Sequence, residues 1–259
     1  MRSLFIRVER PWHCDVLKLP KLKLKLLVMK MTPVEPTGLK VAIAGNPNSG
    51  KTAIFNALTG SRQKVANYPG VTVEKKVGMT TLPSGKTVQV IDLPGTYSLR
   101  PETLDETVTA QELNDRKSSA DILLVVVDAT VLERQLSFVL ELQALRIPMV
   151  VALNMFDLAK KRGIRIDLDV LSKALGCPVV PTIAVSAKGI EHLLASVSEE
   201  LGRVEVGKIK DSAPHKVLTV QQRFAEVDRI LTLSLRHKGR LKFNRELDYF
   251  VTHALWGPS

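Results

Sequence analysis

The hydrophobic pattern alternates between two kinds of segment along most of the chain. Short apolar runs bounded by polar or turn residues indicate buried strands, and apolar residues at helical spacing indicate amphipathic helices. The predicted strands cover residues 39–44, 71–79, 87–91, 122–127, 149–153 and 179–185. The predicted helices cover residues 53–59, 132–145, 169–175 and 190–201. Such alternation predicts an α/β fold with a doubly wound, mostly parallel sheet and helices on both faces.

The chain departs from this alternation in two places. Residues 82–86 read Leu-Pro-Ser-Gly-Lys between the second and third predicted strands, which predicts an antiparallel hairpin. Toward the C-terminus the pattern becomes helical only, with predicted helices at residues 217–235 and 245–255. The apolar stripes of these two helices are typical of core-facing helices. We therefore predict a larger α/β domain at residues 38–203 and a small all-helical subdomain at residues 204–259.

The composition is that of a globular protein, since 45% of the 259 residues are apolar and 24% are charged. The net charge is +11, but residues 1–31 carry eight Lys or Arg residues against two acidic ones and so contribute +6 of it. The rest of the chain has only an ordinary basic excess. Charge therefore gives no reason to expect a nucleic-acid partner.

Residues 1–37 form a basic N-terminal extension, which we expect to be poorly ordered. Its alternating Lys and Leu residues at 21–27 would suit an edge strand, a membrane-surface segment or an unfolded segment, and the last fits the usual behaviour of charged runs. Met31 precedes a turn-rich linker, so one hypothesis places the natural start of the protein there. A peptide map of the native protein that recovers residues 1–30 would exclude it.

No segment of the sequence is typical of export or of a membrane span. The first thirty residues lack the apolar stretch and cleavage site of a secretory signal. The longest apolar run, residues 122–127, is much shorter than the ~20 residues that cross a bilayer. Cys14 and Cys177 show no metal-ligand spacing and are interpreted as reduced cytosolic thiols. We therefore expect the chain itself to be soluble and cytosolic.

The strongest chemical signal is the phosphate-loop pattern GxxxxGK[ST] at residues 45–52, which directly follows the first predicted strand. Average residue usage would produce this pattern in roughly one chain in a hundred of this length. Backbone N–H groups of such a loop surround phosphate oxygens, Lys51 can reach the β- and γ-phosphates, and Thr52 can offer its hydroxyl to Mg²⁺. The predicted nucleotide-binding residues of this segment are Gly45, Asn46, Pro47, Asn48, Ser49, Gly50, Lys51, Thr52 and Ala53.

Asp92 and Gly95, at the end of the hairpin's second strand, form the signature DxxG. Asp92 is placed to hold a water molecule of the Mg²⁺ shell. The backbone N–H of Gly95 would sense the γ-phosphate and couple the residues behind it to the nucleotide state.

A switch threonine that closes on Mg²⁺ and the γ-phosphate is expected between the first helix and the hairpin. Thr72 is the candidate, within the phrase Asn-Tyr-Pro-Gly-Val-Thr-Val-Glu at residues 67–74. Its neighbours Gly70 and Val71 are included in the predicted nucleotide site. From spacing alone, Thr72 is explained equally well as a β-forming residue that begins a strand.

Two short motifs point to a guanine base. Asn154 and Asp157 supply the two side chains of the motif NKxD, and a carboxylate accepts two hydrogen bonds from guanine that adenine cannot offer. Met155 stands where many GTPases have lysine, so packing under the base is expected to differ. The last guanine-contacting motif is matched by Ser186, Ala187 and Lys188. Four weak motifs in the right order, each at the carboxyl end of a strand, together predict a GTPase domain.

Taken together, these residues resemble one family, the FeoB ferrous iron transporters. The resemblance rests on residues 45–52, 67–74, 92–99, 154–157 and 186–188, and it covers roughly the chain from residue 38 onward. It implies a cytosolic GTPase domain that converts GTP to GDP and phosphate, a helical domain that regulates nucleotide release, and a membrane part that passes Fe²⁺. The chain's last residues are similar to the segment before that family's first membrane helix.

The resemblance also implies partners and a location. The expected partners are GTP, GDP and the membrane-embedded Fe²⁺ permease region of the same or a companion polypeptide. A second copy of the chain is a further candidate partner. The expected location is the cytoplasmic face of the inner or plasma membrane. Fe²⁺ specificity rests on the resemblance alone, because no cluster of His, Cys and carboxylate residues forms an evident iron site.

The resemblance implies roles for individual residues that match the family's motifs. Thr72 becomes the switch threonine, and Asn48 is expected to help hold a K⁺ ion whose charge replaces part of an arginine finger. Thr96 stands where signalling GTPases often have a water-orienting glutamine, so a bound cation and backbone groups would have to supply that stabilisation. Without the resemblance, Asn48 is explained as a loop-capping side chain. The expected catalytic residues are Asn48, Lys51, Thr72 and Gly95, with Mg²⁺ at Thr52, Thr72 and Asp92 and K⁺ at Asn48.

Two other functions remain open on sequence grounds. One is a soluble GTPase that acts on ribosomes or RNA, although no RNA-binding module is recognisable after the α/β domain. The other is a binding switch in which the nucleotide state changes partner contacts through residues 92–112. Slow turnover together with tight GTP binding would favour the second.

Overall fold

The computed structural model describes residues 38–60, 63–68, 71–100, 103–114, 120–205 and 218–237. The basic extension, Gly70 and the helix expected at residues 245–255 lie outside the described residues. Among the helices that are described, none has both the length and the apolar character needed to cross a bilayer.

Strands and helices alternate through most of the described chain. The strands are β1 (Lys40–Gly45), β2 (Gln63–Asn67), β3 (Glu74–Thr81), β4 (Thr87–Asp92), β5 (Ile122–Asp128), β6 (Met149–Asn154), β7 (Arg165–Ile166), β8 (Val179–Pro181) and β9 (Leu235–His237). The helices are α1 (Lys51–Thr59), α2 (Leu104–Asn114), α3 (Leu132–Gln143), α4 (Phe156–Lys161), α5 (Leu168–Leu175), α6 (Ile190–Glu205) and α7 (Val220–Ser234). Short 3-10 turns lie at Ala129–Val131 and Ala184–Ser186.

One large sheet organises the described residues, with the strand order β2-β3-β4-β1-β5-β6-β8. The pairs from β4 through β1, β5 and β6 to β8 are parallel, and β2, β3 and β4 pair antiparallel. The mostly parallel sheet and the hairpin are therefore confirmed. Because parallel strands end at the same edge, the segments that follow β1, β4, β6 and β8 meet there.

Helices cover both faces of the sheet, as a doubly wound fold requires. Along β1, Val41 and Ile43 face a hydrophobic cluster that includes α1 and α6, while Ala42 and Ala44 face a second cluster that includes α2, α3, α5 and α7. Since side chains alternate along a strand, one buried strand supplies both cores. This arrangement places β1, and the start of the loop that follows it, in the middle of the sheet.

Helix α7 packs directly against the α/β core. Thr219 caps it, because its hydroxyl accepts from the N–H of Gln222 while the Gln222 side chain accepts from the N–H of Thr219. Its buried residues Val227, Ile230 and Leu231 join the cluster that also contains α3 and α5. Burial of each such side chain contributes about 1.5–3 kcal/mol relative to leaving it exposed.

Several parts of the fold differ from the sequence-based predictions. Helices α2 and α4 and strand β7 were not predicted, and β3 begins at Glu74 rather than at residue 71. All five residues of β2 are exposed, so this edge strand carries no hydrophobic pattern and was not predicted. The strand predicted at residues 179–185 ends at Pro181, and a 3-10 turn follows it. The expectation of helices only after residue 203 is wrong at Leu235–His237, which pair with β7 as a short strand.

Candidate nucleotide-binding site

The loop between β1 and α1 depends on residues that tolerate unusual backbone angles or close contacts. Asn48 and Gly50 have φ angles of 63° and 90°, in the left-handed region that Asn and Gly enter most readily. A side chain at Gly45 would lie 2.5 Å from the carbonyl oxygen of Val126. A side chain at Gly50 would collide with the side-chain amide of Asn154. The loop therefore approaches strand β5 and the end of strand β6 closely.

Lys51, the first residue of α1, extends into a cavity of about 420 Å³ at the carboxyl edge of the sheet. Thr52, Thr72, Asp92 and Gly95 line the same cavity. A side chain at Gly95 would lie 3.2 Å from the Lys51 ammonium nitrogen. The structure thus brings together the lysine, the hydroxyl, the aspartate and the glycine that the sequence motifs singled out.

Burial controls the electrostatics of this cavity. It lowers the pKa of Lys51, and the neighbouring Asp92 carboxylate opposes that change. It raises the pKa of Asp92, and the ammonium groups of Lys51 and Lys76 oppose that change. Both groups are poorly solvated, so a ligand of opposite charge would interact with them more strongly than in water.

The residues present fit a bound Mg²⁺ ion. The Oδ1 atom of Asp92 is buried and has no hydrogen-bond partner, which would cost free energy without a ligand. Thr52 and Thr72 line the same cavity, and oxygen donors such as their hydroxyls are those that Mg²⁺ prefers. Within the described ranges, no group of three or more His, Cys, Asp or Glu residues is arranged to hold a metal by itself.

Thr72 lines this cavity, and Val71 directly precedes it in the segment ahead of β3. The Thr72 side chain is exposed, and the Val71 N–H donates to the carbonyl of Tyr68 across 3.3 Å. Thr72 begins no strand, because β3 starts two residues later at Glu74. The position leaves its hydroxyl available to a ligand in the cavity.

Asn154, at the end of β6, joins the phosphate loop to the segment after β8. Its Nδ2 donates to the carbonyl of Ser49 across 3.0 Å, and its Oδ1 accepts from the N–H of Ala184 at 3.1 Å and the hydroxyl of Thr182 at 3.5 Å. Met155 has a left-handed backbone with φ of 56° and is the N-cap of α4, whose first turn carries Asp157. Asn154 therefore holds the loop after β1 and the segment after β8 in a fixed relation to each other.

The last predicted motif lies slightly beyond the residues that contact Asn154. Ser186 is exposed and its hydroxyl donates to the carbonyl of Ile183 across 3.3 Å, while Ala187 has φ of 53° and Lys188 is exposed. Sequence motifs missed Thr182 and Ala184, which touch Asn154 directly. The only indication of their role was their position after β8, at the edge of the sheet where the other motifs also lie. A base contact by residues 186–188 stays a prediction.

Thr96 is unable to act as a water-orienting side chain in this arrangement. It is 1% exposed, its N–H donates to the carbonyl of Gly45, and its hydroxyl donates to the carbonyl of Ser98 across 2.6 Å. The hydroxyl thus stabilises the loop after Gly95.

Glu141 of α3 links this loop to α7, a feature that no sequence motif indicated. Its carboxylate accepts from the Leu99 N–H at 3.0 Å and from the Ser98 hydroxyl at 3.3 Å. The same carboxylate pairs with the Arg223 guanidinium, and both side chains are largely buried. Removing one partner of a buried charge pair leaves the other charge uncompensated, so Glu141 and Arg223 depend on each other.

Comparison with known proteins agrees with this geometry. The sequence profile of the family described as "Ferrous iron transport protein B" matches residues 39–197. The chain is 48% identical over 163 residues to the Fe(2+) transporter FeoB of Escherichia coli K12 and to that of Salmonella typhimurium LT2. Each alignment covers 61% of this chain and 21% of the relative. The chain thus spans about a fifth of the length of the curated relatives that it matches.

Solved structures of related domains share the fold. The cytosolic domain of L. pneumophila FeoB has 35% identity and a TM-score of 0.66, covering 76% of this chain and 100% of that one. The cytosolic domain of T. maritima FeoB in its GMPPNP form has 31% identity and a TM-score of 0.66, covering 77% and 100%. The T. maritima G domain alone has 45% identity and a TM-score of 0.58, covering 62% and 98%.

Proposed function

Because the chain belongs to the ferrous iron transport protein B family, we propose that it binds and hydrolyses GTP as the cytosolic portion of an Fe²⁺ transporter. The family and the fold identify its α/β part as a P-loop GTPase domain. The observation that carries the proposal is that Lys51, Thr52, Asp92 and Gly95 all line one cavity. The permease region, its Fe²⁺ cargo and the cytoplasmic face of the membrane as location are part of this proposal.

Each residue of the site has a distinct role in the proposed hydrolysis. The loop N–H groups and Lys51 bind the β- and γ-phosphates, and the Gly95 N–H faces the γ-phosphate. Thr52 and Thr72 would bind Mg²⁺ directly, and Asp92 would hold one of its waters. When bound, Mg²⁺ neutralises charge on the phosphate oxygens.

Water attacks the γ-phosphate in this proposal without a side-chain nucleophile. Catalysis then comes from positioning and from charge placed where negative charge develops. The commitment of the Thr96 hydroxyl to Ser98 supports a mechanism that does not rely on a side chain at that position. Asp157 selects guanine, and Asn154 acts by holding the loops of the site together.

Calorimetric titration of the chain with GTP and with ATP tests the nucleotide part of the proposal. We expect GTP to bind and ATP to bind far more weakly, because adenine lacks the two donors that a carboxylate can accept. Equal affinities for the two nucleotides would contradict the assignment of Asp157. No binding of either would contradict the assignment of the cavity.

We propose further that K⁺ assists hydrolysis at Asn48. GTP hydrolysis is then expected to be faster in K⁺ than in Na⁺ by about tenfold or more, because one well-placed charge or donor typically contributes that much or more to a transition state. The gain should vanish in Asn48→Ala. Initial rates of phosphate release at matched ionic strength measure it.

The backbone at Asn48 requires a matched control. With φ of 63°, alanine at this position would be strained in addition to lacking the amide group. Asn48→Gly removes the same side chain without that strain. Both variants should lose the K⁺ effect, whereas equal wild-type rates in K⁺ and Na⁺ would contradict the proposal.

We also propose that the helical segment beginning near residue 204 regulates nucleotide release, with residues 38–203 as the GTPase domain. The support is Glu141, which binds the loop after Gly95 and also pairs with Arg223 of α7. Arg223→Gln should loosen that loop and speed GDP release roughly 2- to 30-fold, the range of coupling effects seen along such networks. Stopped-flow release of a fluorescent GDP analogue measures this rate.

Arg229→Gln is the matched control for that experiment. Arg229 pairs with Glu226 on the same helix, and its side chain is 54% exposed, so the pair contributes little. The control should release GDP at the wild-type rate. If both variants behave like wild type, Arg223 does not couple α7 to the site.

A further inference from the structure

Lys76 of β3 is a basic residue at the phosphate end of the site that no motif assigns. Side chains alternate along a strand, and Lys75 lies on the face toward α2, where its ammonium is 2.6 Å from Glu112. Gly78 lies on the opposite face, in contact with Thr59 of α1. Lys76 shares the face of Gly78 and therefore lies on the α1 side of the sheet.

The strand register places Lys76 beside the proposed Mg²⁺ residue. Lys76 is the direct partner of Asp92 in the antiparallel ladder between β3 and β4. It lines the same cavity as Lys51 and Thr72. Its charge acts on groups in the cavity, because the Lys76 ammonium lowers the pKa of both Asp92 and Lys51. It thus opposes the rise in pKa that burial causes at Asp92 and adds to the fall that burial causes at Lys51.

The Lys76 ammonium has only a weak competing partner among the ion pairs of the described chain. Its nitrogen lies 3.9 Å from the Glu74 carboxylate, and the side chain of Glu74 is 63% exposed. An exposed pair at this separation contributes little and breaks easily. Lys76 is therefore able to turn toward an anion in the cavity.

We propose that Lys76 interacts with the terminal phosphate and makes the site prefer a nucleoside triphosphate to a diphosphate. This rests on the proposed function, since it assigns a further specificity residue to the same site. Lys51 serves both nucleotides because it reaches the β-phosphate, which both contain. Lys76 enters the cavity from the side of Thr72 and Asp92, where the additional phosphate and its charge would lie.

The test compares affinities for GMPPNP and GDP in the whole chain, with Mg²⁺ and with EDTA. Lys76→Met should lose about tenfold more affinity for GMPPNP than for GDP, the size expected for one charge at partly screened distance. Lys76→Arg should retain most of the wild-type ratio. Lys173→Met, which removes an exposed lysine from α5, should leave both affinities unchanged.

The ratio of the two affinities separates this role from a structural one. A general disturbance of β3 would weaken both nucleotides equally, and that result would overturn the proposal, as would an unchanged ratio. Lys76→Gln keeps polarity at the position and must reproduce the change in ratio seen for Lys76→Met. If wild type binds neither nucleotide, the proposed function itself fails, which is a different outcome from an unchanged ratio.

Discussion

Lys51→Met is expected to lower kcat/KM for GTP hydrolysis by about 10²- to 10³-fold, the cost of removing one preorganised charge or donor from a transition state. Lys51 lines the cavity together with Gly95, and its ammonium nitrogen lies 3.2 Å from where a side chain at Gly95 would begin. Methionine keeps most of the side-chain length and removes the ammonium group. Phosphate release under kcat/KM conditions measures the effect.

The fold should survive this substitution. Burial lowers the pKa of Lys51, so folding disfavours its charged form, and removing the charge is expected to leave the nucleotide-free melting temperature unchanged or higher. Lys173→Met serves as the control for loss of one positive charge. A Lys51→Met protein that melts normally and hydrolyses GTP at the wild-type rate would exclude Lys51 from the site.

Asp157→Asn is expected to change the base preference of the site from guanine to xanthine. An aspartate accepts two hydrogen bonds from guanine, whereas an asparagine would present a donor to one of these positions and leave it mismatched. We expect GTP affinity to fall about 100-fold or more, because sites built to hydrogen-bond a group reject a mismatched partner strongly. Xanthosine triphosphate, whose O2 accepts a hydrogen bond, should gain affinity. Competition titrations measure both changes.

Asp169→Asn is the matched control for this base change. Asp169 also lies in the first turn of a helix that follows a strand, and its side chain is exposed. Its substitution should leave the affinities for both nucleotides at wild-type values. An unchanged preference for GTP in Asp157→Asn would show that another group reads the base.

The parts of the fold that sequence reasoning identified were those with strong local signals. Apolar runs such as residues 122–127 and 149–153 are buried on both faces of the sheet. Their continuous hydrophobicity therefore distinguishes them from the polar residues before and after them in the sequence. The phosphate loop and DxxG are contiguous phrases whose chemistry depends on local spacing. Because parallel strands end at one edge, the strand order then brought these phrases together.

Other features depend on contacts that sequence spacing does not encode. The exposed strand β2 is held by backbone pairing with β3, which leaves no hydrophobic pattern. Arg223 and Glu141 are far apart in the sequence, and only the packing of α7 on α3 brings them together. Ala184 contributes a backbone N–H to Asn154, a role that any residue type can fill. Lys76 was identified as a site residue only from the strand register, which pairs it with Asp92.

The packing of α7 gives the proposed regulation of nucleotide release a physical route. Its apolar residues share one core with the GTPase domain, and Arg223 reaches the loop that follows Gly95 through Glu141. A change in that loop on nucleotide binding would therefore reach α7 directly through Glu141 and Arg223. Coupling between two binding events is reciprocal. If the nucleotide changes the affinity of α7 for a partner, that partner should change the nucleotide affinity by the same factor.

The central claim is that this chain hydrolyses GTP at the cavity around Lys51. Phosphate release from GTP by wild type and by Lys51→Met, measured side by side with Mg²⁺ and K⁺, tests it most directly. The claim predicts sustained release by wild type and a loss of about 10²- to 10³-fold in the variant. Equal release by the two proteins would contradict it, and tight GTP binding with no release by wild type would favour a binding switch instead.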